Sequence, residues 1–281
     1  VRELFPLHGV KRSAPIMHRI RSRKTAEEVA QMRKAVAITG KAFERVCGFL
    51  KPGVMEYAVE AEITHEFIRN GSRGHAYTPI IASGYSACVL HYIDNDKPCK
   101  DGDVILMDFG CEYGGYASDL TRCLPVNGKF TKRQRDVYNA VLNVKNEATK
   151  LLRPGTMLAD YHKEVGKLME SELIGLGLLD KTDVKNQNPD APAYKKYFMH
   201  GTSHFIGLDV HDVGLWNEMI QPDMCFTVEP GIYIREENLG IRLENDILVT
   251  RDGQDDLFKD IPVEVDAVEE LMNRIRKGEM A

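Results

Sequence analysis

Two predicted β-hairpins in this chain carry a carboxylate in each arm, within otherwise apolar sequence. In the first hairpin, residues 103–109 lead through a glycine pair to residues 116–121. This pattern is typical of a strand, a tight turn and a second strand. A turn centred between Tyr113 and the first of these glycines places Asp108 directly opposite Asp119.

The second predicted hairpin repeats this arrangement with glutamates. Residues 226–229 and 241–249 are largely apolar segments on either side of a polar stretch. A pairing that places Glu229 opposite Glu244 centres the loop on residues 236–237. The sequence therefore predicts two facing pairs of carboxylates, one in each hairpin.

Facing carboxylates in half-buried strands repel each other, and burying one of them without a partner costs free energy or forces it to bind a proton. Divalent cations remove that cost. Each acid taken singly is equally compatible with a solvated strand residue or a partner in a surface ion pair. The two facing pairs together favour a site for two metal ions.

Three of the nine histidines lie within a short segment, residues 200–212. One of His200, His204 and His211 could complete the carboxylate-rich site, although a single histidine is also a common structural residue. An imidazole nitrogen among carboxylates suits Mn²⁺, Co²⁺, Fe²⁺ or Zn²⁺ better than Ca²⁺ or Mg²⁺, which favour oxygen alone.

The order of the helices suggests an internal duplication. Helical spacing of apolar residues predicts helices over residues 25–50, 56–69, 131–152 and 158–174. Each half is a helix, a Pro-Gly turn and a second helix, followed by a region that ends in an acidic hairpin. We therefore expect an α+β fold of two αα-ββ halves, with the hairpins at the centre and the helices outside.

The duplication also relates two further histidines. His91 precedes Asp108 by nearly the same separation as His211 precedes Glu229. In a duplicated fold the two imidazoles would flank the metals from both sides and could donate hydrogen bonds to substrate. An ordinary polar contact at a strand end is the alternative.

Composition excludes several classes of partner. The 281 residues include 37 lysines and arginines against 42 acids, and no basic stripe is present, so we expect neither nucleic acid nor membrane as a partner. No apolar run approaches the roughly 18 residues of a membrane span, and the first residues lack a signal-peptide pattern. We expect a cytoplasmic protein.

Several stretches of the chain resemble one family closely. Residues 108–113, 115–122 and 208–214, together with His204 and Glu244, are similar to the pita-bread metallopeptidases of family M24. Within that family they most resemble the Xaa-Pro aminopeptidase (aminopeptidase P) group, over about residues 15–272. The resemblance implies a pita-bread fold over residues 24–281, with a curved antiparallel sheet at its centre and with residues 1–23 as a connector from a missing N-terminal domain.

The resemblance also implies a ligand set of five residues for two metal ions, most simply Mn²⁺. The implied ligands are Asp108, Asp119, His204, Glu229 and Glu244. A water between two such cations, roughly 3.5–4 Å apart, would be activated to attack the Xaa-Pro amide. The connection between residues 214 and 227 is short for this family, which bears on the shape of the cleft.

The remaining roles follow from the same resemblance. Glu229 would deliver a proton to the leaving amine, His91 and His211 would hold substrate carbonyls, and His200 would support the ligands. Arg242 lies two residues before Glu244 and would pair with a carboxylate. The implied substrates are peptides with proline in second position, and the implied full-length protein is a dimer or tetramer of identical chains.

Two other functions are compatible with these motifs. Prolidases, which cleave Xaa-Pro dipeptides, share most of them. A catalytically silent pita-bread binding module is the second alternative, although such modules usually lose metal ligands. Methionine aminopeptidases share the five ligands, but the element at residues 210–214 argues against them.

Overall fold

A computed structural model of the chain describes residues 3–279, without the side chain of Asp183. The helices in this range are α1 Ala14–Ser22, α2 Ala26–Phe49, α3 Glu56–Arg69, α4 Lys132–Leu151, α5 Leu158–Gly175, α6 Lys181–Asn186 and α7 Val265–Arg276. The strands are β1 Gly74–His75, β2 Ile80–Ser83, β3 Val104–Phe109, β4 Cys111–Tyr113, β5 Tyr116–Ala117, β6 Leu120–Pro125, β7 Cys225–Val228, β8 Gly231–Ile234, β9 Leu239–Arg242, β10 Asn245–Val249 and β11 Gln254–Asp256. The four predicted helices are confirmed as α2, α3, α4 and α5.

The first helix of each half begins in the same way. The Thr25 side chain accepts a hydrogen bond from the Glu28 backbone N–H, and the Glu28 side chain accepts one in return from the Thr25 backbone. Thr131 and Gln134 form the same reciprocal pair at the start of α4. Such capping boxes satisfy donors that a helix N-terminus otherwise leaves free. Both halves therefore use one local signal to start the helix that covers their sheet.

Helix α1 lies in the segment, residues 1–23, that the resemblance implies is a connector. Its apolar side chains, including Ile16 and Ile20, are exposed, so it has no buried stripe that periodicity could reveal. Ion pairs hold it instead, joining Arg19 to Glu218 and other arginines to nearby acids. This helix was missed because charge, rather than apolar packing, fixes it.

All strand pairs are antiparallel. The pairings form sheets in the orders β2-β3-β6, β1-β4-β5, β11-β10-β7 and β8-β9. The first two belong to the N-terminal half and the last two to the C-terminal half. The halves meet where the Glu244 backbone N–H donates to the Thr121 carbonyl at 3.1 Å. The expectation that the two acidic hairpins meet at the centre is thus confirmed.

A buried arginine reinforces this junction. Arg122 is fully buried, and its Nη1 donates to the carbonyls of Thr121 (3.0 Å) and Glu244 (2.8 Å). Its Nε donates to the Pro262 carbonyl at 3.0 Å, just before α7. One guanidinium therefore links both hairpins and the last helix, with its donors satisfied as a buried cation requires.

The turn of the first hairpin lies later than predicted. Strands β4 and β5 pair Tyr113 with Tyr116, so the turn consists of Gly114 and Gly115. Both glycines have positive φ, at 62° and 87°. A two-residue turn that matches the twist of its strands requires this conformation, which side chains with a Cβ rarely adopt.

The later turn changes which residues face each other. Asp108 pairs with Thr121, and not with Asp119 as predicted. The prediction of direct opposition is therefore wrong by two residues. A shift of two residues preserves the face on which a side chain lies, so both aspartates still point to the same side of the hairpin.

The register predicted for the second hairpin is confirmed. Val228 pairs with Asn245 and Gly231 pairs with Arg242, and both ladders share one register. Glu229 and Glu244 lie opposite each other in the short gap between these ladders. The loop at residues 235–238 is centred where the sequence predicted.

Within the described residues 3–279, none of the helices has the length and apolar character needed to span a bilayer. All six cysteines are buried and unpaired. Burial raises the pKa of the Cys111 thiol to about 11, so this side chain behaves as a small apolar group at neutral pH.

The close approach of the two arms at Gly110 yields a test of the fold. A Cβ at Gly110 would lie 1.7 Å from the Ser118 carbonyl oxygen, and backbone atoms cannot yield to it. We expect Gly110→Ala to lower the free energy of unfolding by about 1–3 kcal/mol or more, measured by urea denaturation. Gly253→Ala is the matched control, because nothing lies within 4 Å of its Cβ. Equal stability of the two variants would contradict the described hairpin.

Candidate metal centre

All the residues singled out from the sequence line one cavity of about 630 Å³. They are Asp108, Asp119, His204, Glu229, Glu244, His91, His200, His211 and Arg242. Because these residues come from both halves of the chain, the cavity lies at the junction of the two acidic hairpins. Their placement together agrees with the expectation of a single central cleft.

Three of these residues form a compact cluster of metal-binding groups. One ligand atom from each of Asp119, His204 and Glu244 lies within 4.8 Å of the other two. Asp119 lies just before β6, and Glu244 lies between β9 and β10. The His204 segment is fixed to β7, because the Thr227 backbone N–H donates to the His204 carbonyl at 3.0 Å. The cluster can supply two carboxylates and one imidazole to a cation.

The hydrogen bonds of His204 fix the ring so that one nitrogen faces the acids. Its Nδ1 lies 3.0 Å from the Phe205 carbonyl, which can only accept, so Nδ1 carries the hydrogen. Its Nε2 lies 3.6 Å from an Asp119 oxygen and 3.5 Å from a Glu229 oxygen. These separations exceed hydrogen-bond length and leave room for a cation between the groups.

Glu244 contributes an oxygen that has no partner. Its Oε2 accepts a hydrogen bond from the Thr121 hydroxyl at 2.6 Å, whereas the buried Oε1 has none. Burial, followed by the charges of Asp119 and Glu229, raises the pKa of Glu244 well above its ordinary range. A buried carboxylate oxygen without a donor is costly, and a divalent cation would offset that cost. The residues therefore fit a metal ion.

Asp108 joins the cluster through a tyrosine that sequence reasoning missed. The Tyr77 hydroxyl lies 2.6 Å from an Asp108 oxygen and 2.5 Å from an Asp119 oxygen. A single hydroxyl hydrogen can serve only one of these contacts. A cation between the two aspartates would supply the missing positive charge. Tyr77 lies in an aperiodic turn before β2, and no sequence signal identifies it.

Arg242 binds the other oxygen of Asp108, at 2.6 Å from Nη2. Its Nη1 donates to the Tyr233 hydroxyl at 2.9 Å, and its Nε donates to the Thr121 hydroxyl at 3.2 Å. The prediction that Arg242 pairs with a carboxylate is confirmed, and Asp108 is that carboxylate. The guanidinium is buried and holds Asp108 in one orientation.

His200 joins this network through Tyr233. Its Nδ1 lies 2.8 Å from the Gly201 carbonyl and its Nε2 lies 2.7 Å from the Tyr233 hydroxyl. Burial, together with the charge of Arg242, lowers the pKa of His200 to about 4, so the ring is neutral at physiological pH. A chain of contacts therefore runs from Asp108 through Arg242 and Tyr233 to His200.

Glu229 lies at the edge of the cluster, where it can carry a proton. Its two oxygens lie 3.5 Å from His204 Nε2 and 3.9 Å from His200 Nδ1. Burial raises the pKa of Glu229 to about 7, against the pull of the cationic groups nearby. A carboxyl group that titrates near neutrality is suited to general acid–base chemistry.

The remaining histidines and an apolar wall complete the cavity. The rings of His211 and His204 meet edge to face with their centroids 4.3 Å apart, and burial followed by the charge of His204 lowers the pKa of His211. Leu90, Ile93 and Trp216 provide apolar surface in the same cavity. The arrangement can thus hold a polar backbone near the acids and an apolar side chain beyond it.

Comparison with known proteins gives consistent results. The profile of metallopeptidase family M24 matches residues 30–251. The Xaa-Pro aminopeptidase of Escherichia coli K12 is 42% identical over 277 residues, which cover 94% of this chain and 62% of that protein. The chain therefore spans less than two thirds of that relative.

Solved structures agree in fold. The E. coli aminopeptidase P bound to the inhibitor Pro-Leu has a TM-score of 0.89 at 42% identity, covering 94% of this chain and 63% of that one. A zinc-substituted form of the E. coli enzyme with product has a TM-score of 0.88 at 41% identity, covering 94% and 62%. The predicted pita-bread fold is confirmed.

The orphaned oxygen of Glu244 predicts that a cation stabilises the chain. A metal that binds only the folded state at a hundredfold its Kd adds roughly 2.7 kcal/mol, so Mn²⁺ should raise the melting temperature. We expect Glu244→Gln to abolish most of this rise, measured by scanning calorimetry with and without Mn²⁺. Glu236→Gln, on the exposed loop at residues 235–238, is the control and should keep it. An undiminished rise in the Glu244 variant would exclude this site.

The raised pKa values predict an unusual pH dependence for the chelator-treated chain. Burial raises the pKa of Glu229 from 4.5 to about 7. For His204, burial opposes the charged form, but contacts with Asp119 and Glu229 raise its pKa from 6.5 to about 9.

Each folded-state pKa lies above its ordinary value, so each group stabilises the fold at low pH and loses that contribution as the pH rises through the folded-state pKa. The melting temperature in chelator should therefore fall between about pH 4.5 and 9. Saturating Mn²⁺ should weaken this fall, because the metal displaces the protons. A melting temperature that rises over this range in chelator would contradict the assignment.

Proposed function

The chain belongs to metallopeptidase family M24, and we propose that it is the catalytic part of a metal-dependent Xaa-Pro aminopeptidase. The observation that carries this proposal is the convergence of Asp119, His204 and Glu244 in a cavity that also holds an apolar wall. The E. coli relative, whose name gives the same activity, supports it. The reaction would release the residue that precedes proline.

We propose that the ion ligands are those that the sequence predicts, with Asp108, Asp119, His204, Glu229 and Glu244 holding two divalent cations. When bound, such cations supply an activated water and polarise the scissile carbonyl. Mn²⁺ is the proposed ion, and Co²⁺, Fe²⁺ and Zn²⁺ suit the same donors. The contacts that Tyr77 makes with both Asp108 and Asp119 support the second ion.

Glu229 is the proposed proton carrier. A peptide bond before proline has no N–H, so its cleavage releases a secondary amine that must gain a proton. In the metal-free chain burial raises the pKa of the Glu229 carboxyl to about 7, so this group can gain and lose a proton near neutral pH. Its position beside His204 keeps it within the cluster where the bond would break.

His91 and His211 are proposed to orient the substrate and stabilise the developing oxyanion. Both rings line the cavity near the cluster, and the lowered pKa of His211 keeps this ring neutral. A neutral imidazole can donate one hydrogen bond to a carbonyl without drawing negative charge from the cation site. Arg242 would act by holding Asp108 in place.

The wider predictions belong to the same proposal. Residues 24–281 would be the catalytic domain and residues 1–23 a connector from an N-terminal domain. The complete protein would be a homodimer or homotetramer in the cytoplasm. Peptides with proline in second position would be its substrates, with no nucleic acid or membrane partner.

A paired assay tests the activity. We expect the Mn²⁺-loaded chain to hydrolyse Gly-Pro-Ala faster than Gly-Pro, with chelated chain and Asp108→Asn as inactive controls, measured by release of glycine. Preference for Gly-Pro would instead indicate a prolidase. A chain that binds Mn²⁺ but cleaves neither peptide would refute an independent catalytic activity and favour a binding role.

A further inference from the structure

One buried carboxylate fixes the loop that carries His211. The Asp212 side chain is 1% exposed, and its Oδ1 accepts a hydrogen bond from the Val213 backbone N–H at 2.7 Å. Its Oδ2 accepts one from the Leu208 backbone N–H at 3.2 Å. The carboxylate therefore ties together both ends of residues 207–213, which we call the His211 loop.

The cations that balance this carboxylate come from far away in the sequence. Arg21 Nη2 lies 2.5 Å from Asp212 Oδ1 and 2.6 Å from Asp209 Oδ2, so one guanidinium joins two acids of the His211 loop. The Lys24 ammonium lies 3.9 Å from Asp212 Oδ2 and is itself buried. Charge-assisted bonds of this kind are strong where water is excluded.

Asp212 and Lys24 pack closely against the backbone at Gly207. A Cβ at Gly207 would lie 2.5 Å from Asp212 Oδ2 and 2.8 Å from the Lys24 side chain, so only glycine fits there. The Ala117 backbone N–H donates to the Gly207 carbonyl at 2.8 Å, which fixes the start of the loop against β5. The loop is thus held on one side by the first hairpin and on the other by residues 21–24.

We propose that Arg21, at the end of α1, is a positioning residue that holds His211 in the cavity by anchoring Asp212. This inference rests on the proposed function, because it assigns a task to the residue beside His211. Arg21 lies outside residues 30–251, the part that the family profile matches. Residues 1–23, which were predicted to be a connector, would then contribute to the site through Arg21.

Two neighbouring arginines provide matched controls. Arg19 pairs with Glu218 and Arg23 pairs with Asp223, and both arginines are more than half exposed, whereas the Arg21 side chain is 23% exposed. All three come from the same helix end and carry the same charge. Arg21 alone among them contacts the His211 loop at its buried acid.

Substitution of Arg21 tests the role in two measurements. In hydrogen exchange, Arg21→Gln should speed exchange in residues 206–214, while Arg19→Gln and Arg23→Gln leave it unchanged. In the Gly-Pro-Ala assay, Arg21→Gln should lower kcat/KM roughly 10- to 100-fold, as expected when a substrate-orienting group is displaced. Arg21→Lys should recover part of the loss, since it restores the charge.

A double variant separates positioning from general damage. If Arg21 acts through His211, Arg21→Gln should cause little further loss in a His211→Ala background. An equal loss in both backgrounds, or unchanged exchange in the His211 loop, would overturn the proposal. The exchange measurement needs no peptidase activity, so a chain that is inactive on peptides refutes the proposed function without deciding the anchor.

Discussion

The mutual repulsion of buried acids is the constraint on which the centre of this structure depends. Asp119, Glu229 and Glu244 lie in one cavity beside the imidazole of His204, and burial raises the pKa of each acid. Protein groups offset only part of this cost. Arg242 takes one oxygen of Asp108, while one oxygen of Glu244 has no partner. A cation held by Asp119, His204 and Glu244 would supply the remaining positive charge, and its binding would then be linked to folding.

The sequence predicted the second hairpin more accurately than the first, for a physical reason. The Glu229–Glu244 register follows from two antiparallel ladders that keep one register across a short gap, so residue numbers suffice. In the first hairpin the turn type decides the register, and the glycine pair selects a turn centred one residue later than assumed, which shifts the pairing by two residues. The aspartates stayed on one face because side chains alternate with period two. The predicted ligands therefore converge although their pairing was wrong.

What the sequence could not reveal are contacts made by aperiodic segments. Tyr77 reaches Asp108 and Asp119 from a turn, and its position depends on the surrounding strand pairings. Arg21 meets Asp212 across 191 residues of sequence, from a helix whose apolar face is exposed. Periodicity detects elements that bury an apolar face, and neither of these residues belongs to such a face. Long-range polar contacts require the fold before they can be seen.

The Arg122 guanidinium affects how cooperatively the molecule unfolds. Its buried donors bind carbonyls in both hairpins and beside the last helix, so the halves cannot separate without breaking these hydrogen bonds. A duplicated architecture would otherwise permit its halves to open one at a time. Because Arg122 lies at the junction of the two hairpins, partial opening is disfavoured. The two halves should therefore behave as one cooperative unit in unfolding and in native-state hydrogen exchange.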